Sequence, residues 1–234
     1  MLQQKTCSGL TGNQLKLFAL ICMTCDHLYH TLLPQYAILN VIGRLAFPIF
    51  AYMIAEGCHY TRNRTRYLML MAISALLCQA VYFFAMGSLY QCILVTFSLS
   101  IGLIYLLDHA CRKPSFLSIA TAVLGCLAVW FLAEVLPQLL SKTDYRIDYG
   151  IMGIFLPVLV FMGQTKLQKL LLATIGLCLL SALHTSVQWF SLLAIVPLAL
   201  YNGNRGKWKL KYLFYIYYPL HLAVLHLLQL LLTR

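Results

Sequence analysis

The sequence predicts an all-α fold, a polytopic transmembrane bundle of about nine to ten membrane helices, with residues 1–234 forming one domain. Three observations predict it. The first is composition: 62% of residues are hydrophobic, 10% are charged, and the mean hydropathy is +0.81. A soluble domain carries roughly 25% charged residues, and a disordered chain needs low hydrophobicity. The second is run length. Residues 117–140 and 170–183 are continuous apolar stretches, unlike the short alternating segments of a membrane barrel. A bilayer then leaves only helices, which satisfy their own backbone. The third is charge placement. The net charge of +11 sits in short connections between apolar runs, where it orients a membrane protein rather than binding nucleic acid.

The spacing predicts helices over 15–33, 36–57, 67–86, 90–108, 115–139, 148–163, 168–184, 187–201 and 212–231. The first follows a polar start, residues 1–12, with no cleavable leader evident. The second contains Pro48, expected to kink it. The third follows Arg62, Arg64 and Arg66. The fourth ends before Arg112 and Lys113, and the fifth is apolar throughout its core. The sixth begins at Asp148, a residue type suited to an N-cap. Lys166 and Lys169 follow the sixth, the eighth leads into Arg205, Lys207, Lys209 and Lys211, and the ninth contains Pro219. The sixth and eighth are short for a span, so tilted, interfacial or re-entrant paths are open to them. With Lys5 and Lys16, these basic connections alternate along the chain. The positive-inside rule puts them in the cytoplasm together with the N-terminus. The expected location is the bacterial cytoplasmic (inner) membrane, with lipid as a partner. No internal repeat is visible, which counts against an inverted-repeat transporter. The nine cysteines show no paired pattern, and Cys22 and Cys25 lie in an apolar helix, so core packing is favoured over a metal site. No metal is expected.

Ionisable groups at membrane depth are costly and mark function. Asp26, His27 and His30 lie toward the outer part of the first helix. Asp26 and His30 share a face, whereas Asp26 and His27 diverge by about 100°. Arg44 in the second helix needs a carboxylate or a substrate group, and an Arg44–Asp26 bridge would supply one. Glu56 lies about 18 Å further down that helix, near the inner face. His59, Arg62 and Arg64 follow it, suited to phosphates or to simple anchoring. Asp148 and Tyr149 open the sixth helix toward the outer side, and His221 sits near mid-membrane just after Pro219. Asp26, His27 and Glu56 would also serve as the proton relay of a small proton-coupled transporter.

In order and spacing, several groups resemble the TraX family, the F-pilin acetyltransferase-like proteins. They are Asp26-His27; Gly43-Arg44-Leu45-Ala46-Phe47-Pro48; Glu56-Gly57 with His59, Thr61-Arg62-Asn63 and Tyr67; and Thr96. Further along come Asp148-Tyr149-Gly150; Tyr201-Asn202-Gly203-Asn204-Arg205-Gly206; and Tyr218-Pro219-Leu220-His221. The resemblance runs from about residue 12 to 231, and through the family to the wider acyltransferase-3 type membrane enzymes. It implies acetyl transfer from cytosolic acetyl-CoA, through the bundle, to an amine or hydroxyl acceptor. The acceptor is left open among a pilin N-terminus, a glycan and a small molecule, and a homo-oligomer is compatible with all three.

On that basis the expected catalytic set is His27 as base or nucleophile, Asp26 and Arg44 as orienting and charge-stabilising groups, and His221 lining the path. The expected acetyl-CoA site comprises Glu56, His59, Arg62, Arg64, Lys209 and Lys211. The expected acceptor site comprises His30, Asp148 and Tyr149. A non-catalytic pilus-assembly factor is the remaining alternative.

Overall fold

A computed structural model describes residues 9–208 and 210–232, apart from the side chains of Lys211, Tyr212, Phe214 and Tyr215. Among these residues all extended regular structure is helical: α1 Gly12–Thr31, α2 Ala37–Gly43, α3 Ala46–Tyr60, α4 Arg64–Met86, α5 Ile93–Arg112 and α6 Phe116–Trp130. A π-helical turn, Phe131–Val135, follows α6 and runs into α7 Leu136–Leu139. Then come α8 Gly150–Met162, α9 Lys166–Leu183, a 3₁₀ segment Ser186–Ala194, α10 Ile195–Ala199 and α11 Lys211–Leu232. The described chain thereby passes nine times between two ends, taking α2–α3, α6–α7 and the 3₁₀–α10 stretch each as one pass. Five of these segments are long and apolar enough to cross a membrane: 37–60, 64–86, 93–112, 116–139 and 166–183.

The burial pattern fits a bilayer as solvent. Half of the most apolar window of 37–60 is buried in the bundle, against 22% for 64–86 and for 116–139. The outward faces of α4 and α6 carry Leu76, Leu77, Phe84, Phe116 and Leu124, all exposed. In water such a surface would be an aggregation site; in lipid it is the solvated face. The centre belongs to α1, α3, α5 and α8, where Leu15, Ile49, Tyr52, Ile101, Ile104 and Ile154 are fully buried.

Prolines set the breaks. Pro48 has no N–H for the carbonyl of Arg44, four residues back, and its ring crowds that carbonyl. The expected kink in 36–57 is therefore a break at Arg44–Leu45, between α2 and α3. Pro137 acts likewise on Ala133, and the ladder there widens to a π turn, with the Leu136 N–H donating to the Phe131 carbonyl. The short eighth segment gains reach from its form. A 3₁₀ helix rises ~2.0 Å per residue against ~1.5 Å for an α-helix, so nine 3₁₀ residues recover part of the missing length.

The two ends are stitched differently. At the end where α1 begins, the stretch after α10 returns to cover the free N–H groups of the first turn of α1. The Gly12 and Asn13 N–H groups donate to the Asn204 and Arg205 carbonyls at 2.8 and 2.9 Å. Asn13 Nδ2 donates to the Trp208 carbonyl at 2.6 Å. Gly203 and Gly206 bend that stretch through left-handed φ values of 77° and 95°, which side chains disfavour. Lys16, Arg62, Arg64, Arg66, Arg112, Lys113, Lys166, Lys169, Arg205 and Lys207 lie toward this basic end. At the opposite end Asp144 clasps the α4–α5 connection. It accepts from the Ser88 hydroxyl at 2.5 Å and the Leu89 N–H at 2.9 Å. The Ser88 bond, then the backbone bond, holds its carboxyl below the usual carboxylate range.

Candidate functional site

The polar residues of α1 sort by face, as helical geometry requires. Asp26 turns toward α2, where it accepts a charge-assisted hydrogen bond from Arg44 Nη2. Its Oδ1 also lies 3.9 Å from His30 Nε2. Gly43 makes this approach feasible: a Cβ there would overlap the Asp26 side chain. His27, one residue on, turns instead toward α11, and its Nδ1 lies 2.7 Å from His221 Nε2. Thr24, a turn earlier, meets Tyr217 with hydroxyl oxygens 2.7 Å apart. Helices α1 and α11 therefore run parallel and in register.

The proton positions at the histidine pair follow from what surrounds them. His221 Nδ1 is 2.9 Å from the Tyr217 carbonyl. A carbonyl only accepts, so Nδ1 carries a hydrogen. Neutral His221 then presents a bare Nε2, which accepts from His27 Nδ1–H. That leaves His27 Nε2 as the free lone pair of the pair. The carbonyl–His221–His27 chain thus fixes both tautomers and makes Nε2 of His27 the basic atom. The Tyr218 ring packs edge-on against both imidazoles, 5.9 Å from His27 and 5.4 Å from His221.

Two cavities approach this cluster from opposite ends. One, of about 540 Å³, opens at the basic end beside Asn13, Lys16, Thr61 and Arg205. Leu20, Met23, Ile54, Leu94 and Phe97 line it as it deepens, with Tyr218 in its wall. The other, of about 810 Å³, lies toward the opposite end and is lined by His30, Asn40, Arg44, Glu134, Asp148 and Gln188, among others. Its roominess follows from the short α8, which starts only at Gly150. Phe47 stands between the two. It stacks on Phe97 of the first cavity at 6.1 Å and on Tyr149 of the second at 4.0 Å. Tyr149 is held there at a φ of 58°, the one positive value at a non-glycine among the described residues. For a bulky residue that is strained backbone of the kind found at functional sites.

The sequence-predicted residues divide accordingly. Asp26, Arg44 and His30 come together, as do His27 and His221, and His30, Asp148 and Tyr149 share the outer cavity. Asp148 does not cap α8 with its side chain. The N-cap position is Tyr149, and the Asp148 carboxylate accepts from the Tyr90 hydroxyl at 2.6 Å.

Of the expected acetyl-CoA set, His59, Arg62 and Arg64 lie outside the lining of the inner cavity. Arg64 binds Asp108 at 2.7 Å and lies over the Tyr105 ring. His59 stacks on Phe161, and Arg62 is exposed outside the cavity lining. Glu56 does line the inner cavity but is tied to Lys169 at 2.5 Å. Lys209 and the Lys211 side chain lie outside the described residues. Among the described residues, the cations lining the inner cavity are Lys16 and Arg205, close enough to repel each other. Sequence reasoning also passed over Asn40, Glu134 and Gln188. For Glu134 a signal was present, a lone carboxylate in an apolar run three residues before Pro137.

No solved structure matches the chain. A probable fimbrial assembly protein, FimC of serogroup H1, from Dichelobacter nodosus is 27% identical, with 91% of this chain and 93% of that protein covered. The uncharacterized protein RP591 of Rickettsia prowazekii (strain Madrid E) is 27% identical over 80% of this chain and 68% of its own length. The family described as TraX protein matches residues 11–229, and with nearly the whole chain covered, this protein belongs to the TraX family.

Proposed function

We propose that this protein is an integral-membrane acetyltransferase that takes acetyl-CoA from the cytoplasmic side and passes the acetyl group to an acceptor entering from the other side. The observation that carries the reading is the pair of opposed cavities, with the His27–His221 pair packed against Tyr218 in the wall of the first and Arg44, paired with Asp26, in the wall of the second. In this reading the basic end faces the cytoplasm of a bacterial inner membrane. Lys16 and Arg205 meet the donor phosphates, and the pantetheine arm occupies the apolar cavity. From Lys16 to His27, α1 rises ~16 Å, a depth that an extended pantetheine arm spans. His27 Nε2 takes the acceptor proton as that nucleophile attacks the thioester. Arg44 stabilises developing negative charge on the acyl oxygen. His221 keeps the His27 tautomer productive, and the thiolate leaves as CoASH with the proton that His27 held. Phe47 and its stacking partners keep outer water from the thioester.

A second reading has one observation in its favour. The Dichelobacter nodosus relative is named a probable fimbrial assembly protein, and a non-catalytic assembly role would make the histidines dispensable. The test is CoASH release from acetyl-CoA by purified protein in nanodiscs. Under the enzymatic reading, His27→Ala lowers turnover roughly 100-fold or more while acetyl-CoA still binds. Wild-type turnover in His27→Ala removes that residue from the mechanism, and a wild-type protein that neither binds acetyl-CoA nor releases CoASH leaves the assembly role.

A further inference from the structure

The outer cavity holds a group of polar atoms that the fold does not use. Asn40 Oδ1, Arg44 Nε and Gln188 Nε2 are buried and have no hydrogen-bond partner among the described residues, and all three residues line this one cavity. Gln188 is 2% exposed. Its orientation is fixed, because its Oε1 accepts from Arg44 Nη1 at 3.4 Å, so its amide nitrogen is the end left over. An unpaired buried polar atom costs ~1–3 kcal/mol. Three at one wall are a standing penalty that a ligand with the complementary pattern would remove.

The pattern is two donors, Arg44 Nε–H and Gln188 Nε2–H, and one acceptor, Asn40 Oδ1. A carboxylate or phosphate only accepts and leaves Asn40 unmatched. An ammonium only donates and leaves Arg44 and Gln188 unmatched. A hydroxyl offers two lone pairs and one hydrogen, which is the complement of this set. The charge of the lining agrees. Arg44, paired with Asp26, and Arg146 line it together with Glu134 and Asp148, so the lining carries both signs and is not built for an ion of one sign.

We propose that the outer cavity binds a neutral polyhydroxyl compound, a saccharide or polyol, through Asn40, Arg44 and Gln188, and that its hydroxyl is the acetyl acceptor. This rests on the acetyltransferase reading only for the second half. In that step the hydroxyl oxygen bonds to the acetyl carbon as its proton passes to His27. The carbon–sulfur bond then breaks, and the thiolate leaves with that proton as CoASH, giving an O-acetyl ester.

The experiment is equilibrium binding of labelled methyl β-glucoside to the full chain in lipid nanodiscs. The competitors are myo-inositol, glucuronate and an alanyl dipeptide, and acetyl-CoA turnover is read in parallel. Saturable glucoside binding is expected, displaced by inositol and not by glucuronate or the dipeptide. Asn40→Leu and Gln188→Met should each weaken it roughly 3- to 10-fold. Each variant is compared at matched thermal midpoint, so that misfolding is not read as lost affinity. Absence of saturable binding by either neutral polyol overturns the proposal. So does preferred binding of the dipeptide that the same two substitutions abolish, which makes the acceptor a peptide. Glucoside binding without CoASH release in the wild type leaves this site standing and removes the acetyltransferase reading. CoASH release with the dipeptide alone keeps that reading and removes the hydroxyl.

Discussion

The two cavities meet at one wall but are built on opposite principles. The inner one has a cationic mouth of Lys16 and Arg205 and an apolar depth of leucine, methionine and phenylalanine. Its charged groups, Lys16, Glu56 and Arg205, gather toward the basic end, and the deep part is mostly apolar. The outer one brings Arg44, Gln188 and Asn40 to its buried wall, each with an atom unspent. A cavity of the first kind suits a long ligand with a charged head and a plain arm. The second suits a compact polar ligand read by its hydrogen bonds. Neighbouring residues of α1 reach the two walls: His27 meets Tyr218 in the inner one, while Asp26 meets Arg44 in the outer one.

The largest effect is expected where that wall holds itself together. Arg44 and Asp26 are both mostly buried, at 16% and 19% side-chain exposure. Removing one partner of a buried pair costs ~3–5 kcal/mol because the other charge is stranded, and the partial exposure here points to the low end. Arg44→Ala should therefore reduce folded yield and thermal midpoint as well as activity. Adding Asp26→Asn should recover yield but not turnover. If Arg44→Ala is as stable as wild type, the pair is not the structural tie between α1 and α2.

A smaller change would breach the wall without unfolding it. Phe47→Leu shortens the ring that separates Phe97 from Tyr149 at a cost of ~1 kcal/mol. Acceptor-independent hydrolysis of acetyl-CoA should then rise about tenfold, as outer water reaches the thioester. The ratio of hydrolysis to transfer measures it. An unchanged ratio would mean that Phe47 does not separate the two compartments.

How much of this was legible in the sequence follows the same division. The helices were readable because apolar length and basic loops are local signals. The predicted 67–86 and 115–139 correspond to Arg64–Met86 and Phe116–Leu139. The Arg44–Asp26 pair was readable because two lone charges in an apolar chain have few alternatives. The His27–His221 pair was not, since residues 194 positions apart meet only through the parallel packing of α1 and α11. The residues lining the mouth of the inner cavity were not legible for a related reason. Arg64 looks available in sequence, but Asp108, 44 positions on, lies against it after folding. Arg205 looks like one more anchoring cation until Gly203 and Gly206 fold its stretch over the start of α1. Asn40 and Gln188 carried no signal, because neutral amides become informative only when burial leaves them unpaired.

The smallest predicted effect tests the proposed role of that mouth. Lys16 and Arg205 flank an opening, so an anion between them gains Coulomb energy intermediate between water and interior. At 4 Å this is ~1 kcal/mol in water and ~4 kcal/mol at an effective dielectric of 20. A mouth position belongs near the lower figure, so Lys16→Gln and Arg205→Gln should each weaken acetyl-CoA binding by roughly 3- to 5-fold at low salt. Raising ionic strength from 0.1 to 1 M shortens the Debye length from ~10 to ~3 Å. Wild-type affinity should therefore fall with salt, and the double variant should show a flatter dependence. Arg62→Gln and Arg64→Gln are the contrast. The first removes an exposed charge outside the lining, and the second a guanidinium already committed to Asp108. Both should bind acetyl-CoA within twofold of wild type, by titration calorimetry at two salt concentrations. If Arg64→Gln weakens binding more than Lys16→Gln does, donor recognition belongs to the loop after α3 rather than to the mouth that Lys16 and Arg205 form.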